Sequence, residues 1–350
     1  MSTIVLTGGG TAGHCTPNLA LIPYLKNNFD NIIYIGSSTG IEKSLVSKSN
    51  IPYYEVPCVK LKRSLSLSNL LIPFKLIKGV KESEKILRKI NPKIIFSKGG
   101  FVSVPVVLAG KKLGIPIISH ESDLTIGLSN KLTSKYCRKV LTSFPETAKK
   151  LKNGEYVGPP IRSELINAPK KEIALKYFNF PQNKPVILVF GGSQGAKAIN
   201  TTLYNCLNKL LEKYNIIHIC GKGNLNNVNK SGYYQREYMN NIEYAFSACD
   251  LCVSRAGSNA IFELLALKVP TLLIPLPKTQ SRGDQIVNAE YFTKKGLTHI
   301  LYQEKLTENS LIKSINKLYS EKDLIKANIE KTPVRDSNRL ISNIICNYKR

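Results

Sequence analysis

Apolar runs alternate with longer amphipathic stretches along the whole chain. In the first half the runs suited to buried strands are 3–7, 31–36, 52–56, 93–97, 115–119 and 139–142. Between them, stretches with apolar residues at helical spacing cover 14–28, 40–49, 69–91 and 103–113. This strand–helix alternation predicts a parallel sheet with crossover helices. A break falls at Gly158-Pro-Pro160, and a polar stretch rich in Lys, Asn and Pro runs on to Pro185, the best linker candidate. The pattern then restarts. Strands are predicted at 186–190, 215–219, 250–253, 271–274 and 298–301. Helices are predicted at 196–213, 238–248, 257–267, 284–295, 307–319 and 335–348.

The restart repeats a plan. Thr3–Thr7 and Val186–Phe190 are both apolar strands that run into glycines and then a helix. Two Rossmann-like α/β domains are therefore expected, over 1–160 and 161–334. A last helix over 335–350 is expected to pack back on the first domain. Open parallel sheets bind ligands beyond the carboxyl ends of their strands. Two such halves facing each other across a cleft would turn both glycine turns toward one ligand.

The turns set the chemistry. Residues 8–13 read Gly-Gly-Gly-Thr-Ala-Gly, a literal G-x-G-x-x-G. Glycines let backbone N–H groups approach an anion at a helix start. A dinucleotide site also needs an acid closing the second strand to bind ribose. Here that strand ends Tyr34-Ile-Gly-Ser-Ser38, which argues against an NAD(P) oxidoreductase. The second turn, Gly191-Gly-Ser-Gln-Gly195, adds the Ser193 hydroxyl and suits a diphosphate; close helix–strand packing is its plainer reading. A third cluster is Ser97-Lys-Gly-Gly-Phe101. A fourth turn, Ser254-Arg-Ala-Gly-Ser258, brings Arg255, fit to pair with phosphate, and leads to Glu263, fit to accept from ribose hydroxyls or to be a surface carboxylate.

Composition narrows the partners. The formal net charge is +26, with 43 % hydrophobic residues. Such charge favours anionic partners. A nucleic-acid binder should interleave basic residues with exposed aromatics or carry a known module; neither is found, so no nucleic-acid partner is expected. Residues 60–89 concentrate Lys60, Lys62, Arg63, Lys75, Lys78, Lys81, Lys85, Arg88 and Lys89 against Glu82 and Glu84, interleaved with leucines, Ile72, Phe74 and Ile77. The apolar run is far too short to span a bilayer. It suits a segment resting on an anionic membrane surface, or an ordinary amphipathic crossover helix. Eight scattered cysteines argue for reduced thiols, and Cys249-x-x-Cys252 lacks the second pair a zinc site needs.

Several segments together carry a resemblance. Gly9-Gly-Thr-Ala-Gly-His-Cys-Thr-Pro17, Ser97-Lys-Gly-Gly-Phe-Val-Ser-Val-Pro105, His120-Glu-Ser-Asp-Leu-Thr-Ile-Gly-Leu-Ser-Asn130, Gly191–Ala196, Arg255–Glu263 and Arg282-Gly-Asp-Gln-Ile-Val-Asn288 resemble, in order, the loops of the MurG family of GT-B glycosyltransferases. That family transfers N-acetylglucosamine (GlcNAc) from UDP-GlcNAc to the muramoyl sugar of the lipid-linked peptidoglycan precursor. The resemblance implies donor contacts at Thr11, Ala12, Gly13, Asp123, Arg162, Ser193, Met239, Ser258, Asn259, Ala260, Glu263 and Gln285. It implies two partners, UDP-GlcNAc and an undecaprenyl-pyrophosphate-linked MurNAc-pentapeptide, and a peripheral place on the cytoplasmic face of the membrane. Asp123 stands where many members have Asn, and Phe101 where many have Tyr.

The implied reaction inverts the anomeric carbon. It needs a base near the acceptor hydroxyl and stabilisation of the departing diphosphate. His14, just past the first turn, is the candidate base or acceptor-orienting group, or else a capping histidine. Glu121 is a weaker candidate for acceptor orientation. Helix N-termini and Arg can stabilise the diphosphate and no D-x-D-like pair is present, so neither metal nor cofactor is expected. Alternatives are a UDP-GlcNAc 2-epimerase or lipid glycosyltransferase on the same fold and, from other classes, an NAD(P) oxidoreductase or a non-catalytic basic adaptor.

Overall fold

The computed structural model describes residues 1–59, 72–180, 183–192, 195–332 and 335–348. It divides into two compact units, one of 1–162 with 335–350 and one of 163–334.

The first unit is β1 (Thr3–Thr7), α1 (Ala12–Leu25), β2 (Asn31–Gly36), α2 (Ile41–Val46), β3 (Tyr53–Glu55), α3 (Ile72–Ile90), β4 (Ile94–Ser97), α4 (Ser103–Lys112), β5 (Ile117–Glu121), α5 (Leu128–Thr133), β6 (Lys139–Thr142), α6 (Pro145–Ala148) and β7 (Gly154–Tyr156). All seven strands pair in parallel, in the order β3-β2-β1-β4-β5-β6-β7. Strands buried on both faces read as continuous apolar runs, because helices cover each side. The two-residue period shows in the core. Ile4 and Leu6 pack with Leu21, Leu25 and Phe96 on one face, while Val5 packs with Ile95, Val106 and Val107 on the other.

The second unit is α7 (Ser163–Ile166), α8 (Lys171–Tyr177), β8 (Val186–Phe190), α9 (Lys197–Leu211), β9 (Asn215–Ile219), β10 (Tyr233–Arg236), α10 (Ile242–Ala248), β11 (Leu251–Ser254), α11 (Ser258–Ala266), β12 (Thr271–Leu273), α12 (Asp284–Lys294), β13 (His299–Ile300), α13 (Glu308–Ser320) and α14 (Lys322–Glu330). Its six strands are also parallel, ordered β10-β9-β8-β11-β12-β13. The terminal α15 (Ser337–Asn347) belongs to the first unit, where Ile341 and Ile345 join the face lined by Leu21 and Leu25.

Two parallel α/β sheets bear out the fold class read from the alternation. The polar stretch before Pro185 is more ordered than a linker. It holds α7 and α8, and Leu165, Ala174, Leu175, Phe178 and Phe180 lie buried against Val186 and Leu188. Helices this short leave too few turns for a period to show over their lysines. The fifth strand runs two residues later than its apolar run, so it carries His120 and Glu121. No disulfide joins any of the eight cysteines, and Cys249 and Cys252 are buried in the second core.

Candidate active site

In each sheet the strand order reverses beside its first strand, between β1 and β4 and between β8 and β11. Such switch points open a crevice at the carboxyl ends of the strands. The first and third glycine clusters leave β1 and β4; the second and fourth leave β8 and β11.

In the first unit the two glycine turns touch. Gly100 has φ +77°, and a Cβ there would run into the carbonyl oxygen of Gly9. Gly10, at φ +86°, lies under the ring of Phe101. Only glycine permits both this backbone and this approach. Thr11 precedes α1, and its Oγ1 lies 2.8 Å from His14 Nδ1. His14 is half-buried, with its ring 3.3 Å from the position a Gly100 Cβ would take.

Beyond β4 and β5 lies a buried polar cluster. Lys98 is only 2 % exposed; its Nζ donates to His120 Nδ1 at 2.8 Å and to the Ser122 hydroxyl. His120 Nε2 meets the Gly158 carbonyl at 3.0 Å, so that nitrogen carries the hydrogen. Burial lowers the Lys98 ammonium to about 8, against the upward pull of Glu121 and Asp123. Burial, reinforced by Lys98, holds His120 well below the ordinary histidine range. The carboxylate of Glu121 accepts from Asp123 N (3.1 Å), Gly127 N (2.9 Å) and Asn130 Nδ2 (2.8 Å), which shapes the loop carrying Asp123. Burial raises the Glu121 carboxyl, and the charge of Asp123 adds to that.

Arg162 closes the first unit. Its neighbour Ile161 is clasped by Asn338 of α15, at 3.1 Å to the N–H and 2.7 Å to the carbonyl.

In the second unit Ser258, Asn259, Ala260 and Glu263 share α11. The preceding turn is braced by Arg255, whose Nη1 donates to the carbonyls of Ile274 (3.1 Å) and Pro275 (3.3 Å). Burial lowers the Arg255 guanidinium to about 10, which leaves it charged at neutral pH. Gln285 Oε1 accepts from Leu276 N at 3.0 Å, tying α12 to the same loop. Met239 is 6 % exposed within the core beside Phe246 and Leu188, so the structure gives it packing partners. Ser193 lies outside the described residues.

Sequence reasoning passed over two groups. Glu42 was missed because it follows the second strand by six residues, on α2; there it reaches back to the first glycine turn. Lys98 stands in the third glycine cluster, and the sequence assigns it no role. A lysine at the exit of an apolar strand, before two glycines, was the available signal.

The model for the glycosyltransferase family 28 N-terminal domain matches residues 4–142, and that for its C-terminal domain matches residues 186–342. A protein of Clostridium kluyveri named UDP-N-acetylglucosamine–N-acetylmuramyl-(pentapeptide) pyrophosphoryl-undecaprenol N-acetylglucosamine transferase is 48 % identical, over 100 % of both chains. A Bacillus thuringiensis protein of the same name, numbered 2, is 48 % identical over 95 % of each chain. Among solved structures, Acinetobacter baumannii MurG superposes with a TM-score of 0.76 at 23 % identity, covering 99 % of this chain and 100 % of that one. A UDP-GlcNAc 2-epimerase from Neisseria meningitidis gives 0.67 at 14 %, with 99 % of each chain covered. These two likenesses speak for the fold alone.

Proposed function

This chain belongs to glycosyltransferase family 28, and from that premise we propose that it transfers GlcNAc from UDP-GlcNAc to the 4-hydroxyl of a MurNAc-pentapeptide carried on pyrophosphoryl-undecaprenol. The observation that carries the reading is the 48 % identity over the full length to a relative bearing that activity in its name. The second unit takes the donor, with Ser258, Asn259, Ala260, Glu263 and Gln285 around the nucleotide. The turn at Gly191–Gly195, with Ser193, takes the diphosphate. Arg162, Asp123 and the Thr11-Ala12-Gly13 segment serve the sugar.

The first unit takes the acceptor. The Thr11–His14 contact supports a base role for His14. If Thr11 Oγ1 accepts from Nδ1–H, the lone pair of Nε2 is the group that takes the 4-hydroxyl proton. As that oxygen bonds to the anomeric carbon, the bond from that carbon to the β-phosphate oxygen breaks, and UDP departs with the electron pair. Backbone N–H groups at the glycine turn and at the start of α11 stabilise the charge.

The enzyme works at the cytoplasmic face of the membrane. In support, Phe74 and Ile77 on α3 are 72 % and 55 % exposed, and Lys75, Lys78 and Lys81 are exposed beside them. Residues 60–71 of that basic stretch lie outside the described ones, and no helix of the described residues is long and apolar enough to cross a membrane.

The test is UDP release from UDP-GlcNAc with and without a muramoyl-pyrophosphoryl lipid. Release only with the lipid is expected. UDP-ManNAc formed from donor alone would replace the reading with a 2-epimerase; no release in either case would overturn it.

A further inference from the structure

The first glycine turn spells a dinucleotide fingerprint, and in such turns the second glycine brings its backbone N–H to the pyrophosphate. Here that N–H is already taken. Gly10 N donates to Glu42 Oε2 at 3.1 Å, while Glu42 Oε1 accepts from the Ser37 N–H at 3.2 Å and the Ser37 hydroxyl at 2.5 Å. The Ser37 hydroxyl oxygen accepts from Gly40 N at 3.0 Å, and Tyr53 donates to the Ser37 carbonyl at 2.6 Å. Glu42 is 0 % exposed. Its carboxylate lies flat against glycine backbone: a Cβ on Gly9 would stand 2.5 Å from Cδ, and one on Gly40 would overlap both oxygens.

A carboxylate presents two oxygens and a negative charge, as a phosphate edge does. Buried against the turn, it satisfies at Gly10 the donor that a nucleotide phosphate would use. The corresponding turn of the second unit differs. A Cβ on Gly192, at φ +82°, would meet nothing within 4 Å among the described residues. A Cβ on Gly195 would meet backbone, the Cys220 carbonyl and the Gly221 Cα.

We propose that Glu42 is a built-in anion that closes the first glycine turn to nucleotide phosphates and fixes Gly10 and Thr11 for acceptor chemistry. The two turns are alike in spelling, and this carboxylate divides their work. The exclusion of nucleotide stands by itself; the acceptor half rests on the transferase reading above. Glu42 is a positioning residue, acting through the turn that carries Thr11 and His14.

The test uses the full chain and two variants, with acetate as the probe that replaces the side chain lost in Glu42→Ala. Calorimetry should give one UDP site per wild-type chain. It should show acetate binding to E42A and not to wild type or E42Q. In the transfer assay both variants should lose about tenfold or more in kcat, the scale of a hydrogen bond to a charged group. The KM for UDP-GlcNAc should change less than kcat, since the nucleotide and diphosphate contacts lie on the second unit and only the Thr11–Gly13 segment of this turn serves the donor sugar. Millimolar acetate should restore E42A several-fold and leave E42Q unchanged, because the amide fills the space.

Two UDP sites on the wild type, wild-type turnover in E42A, or E42A that neither binds acetate nor responds to it would each overturn the proposal. Should E42A fail to fold, the E42Q kinetics and the wild-type UDP stoichiometry still decide it. A wild-type chain with no transfer activity would sink the transferase reading, and the two calorimetric results would still judge the exclusion of nucleotide.

Discussion

Lys98 and His120 face each other inside the first unit, with Nζ 2.8 Å from Nδ1 and neither side chain in contact with bulk solvent. The pair ties the glycine turn after β4 to the strand that ends in Glu121, and through His120 Nε2–H to the Gly158 carbonyl.

Both are bases that bind protons less readily folded than unfolded, so stability rises with pH across each window. For Lys98 the window runs from about 8 to its ordinary 10.5. For His120 it lies below 6.5. Tyr34, buried, and Tyr53, half-buried, are raised by desolvation and act oppositely at alkaline pH, so the Lys98 effect is read as a difference between proteins. Lys98→Met should gain on wild type at pH 7 relative to pH 10.5, measured by thermal melting. A gap that is constant with pH would contradict the buried ammonium.

His218 should govern part of the acid limb in the second unit. Burial lowers it to about 4, while Nδ1 meets the Tyr233 hydroxyl at 2.8 Å and Nε2 meets Asn200 Oδ1 at 3.0 Å. The unfolded chain takes up this proton near 6.5 and the folded chain near 4. Stability should therefore fall between those values, by on the order of 3 kcal/mol from this group. His218→Gln should flatten that fall in urea titrations; an unchanged slope would count against it.

His14→Ala should lower turnover by about 10²–10⁴-fold, the range of a lost general base, with UDP-GlcNAc affinity preserved. Thr11→Val keeps the imidazole and removes its 2.8 Å partner, so a smaller loss in kcat is expected. Near wild-type turnover in the alanine variant would remove His14 from the chemistry.

Glu263→Ala should raise the KM for UDP-GlcNAc by roughly 10–100-fold, the scale of lost hydrogen bonds to a carboxylate. If kcat alone changed, Glu263 would belong to the reacting centre and not to ribose binding.

Exposed Phe74 and Ile77 alternate on α3 with Lys75, Lys78 and Lys81. Each lysine near an anionic surface contributes about 1 kcal/mol. Reversing all three to Glu should abolish co-sedimentation with phosphatidylserine vesicles while leaving soluble-acceptor turnover intact. Retained binding would place the membrane contact elsewhere.

Much of the fold was legible because strands buried on both faces have to be apolar throughout, as Ile4, Val5 and Leu6 illustrate. Most of what escaped was short, although α14, at nine residues, was missed too. β7 and β10 are strands of three and four residues, and α7 and α8 are helices of four and seven; none is long enough to show a period. Glycine positions were legible for a different reason. The approach of Gly100 to Gly9 tolerates no side chain, so the residue type itself reports the geometry.

By itself the sequence determined the order of strands, turns and helices, and the kinship carried by the motifs at the strand ends. Tertiary structure alone decided what those motifs meet. Glu42 and Gly10 are 32 residues apart and Lys98 and His120 are 22 apart. Each pair forms because parallel pairing sets β2 beside β1 and β5 beside β4 in one register, which brings their carboxyl ends together. Local hydrophobic periodicity encodes which face of a strand is buried, and it carries no record of the neighbour that a polar side chain at the strand's end will find.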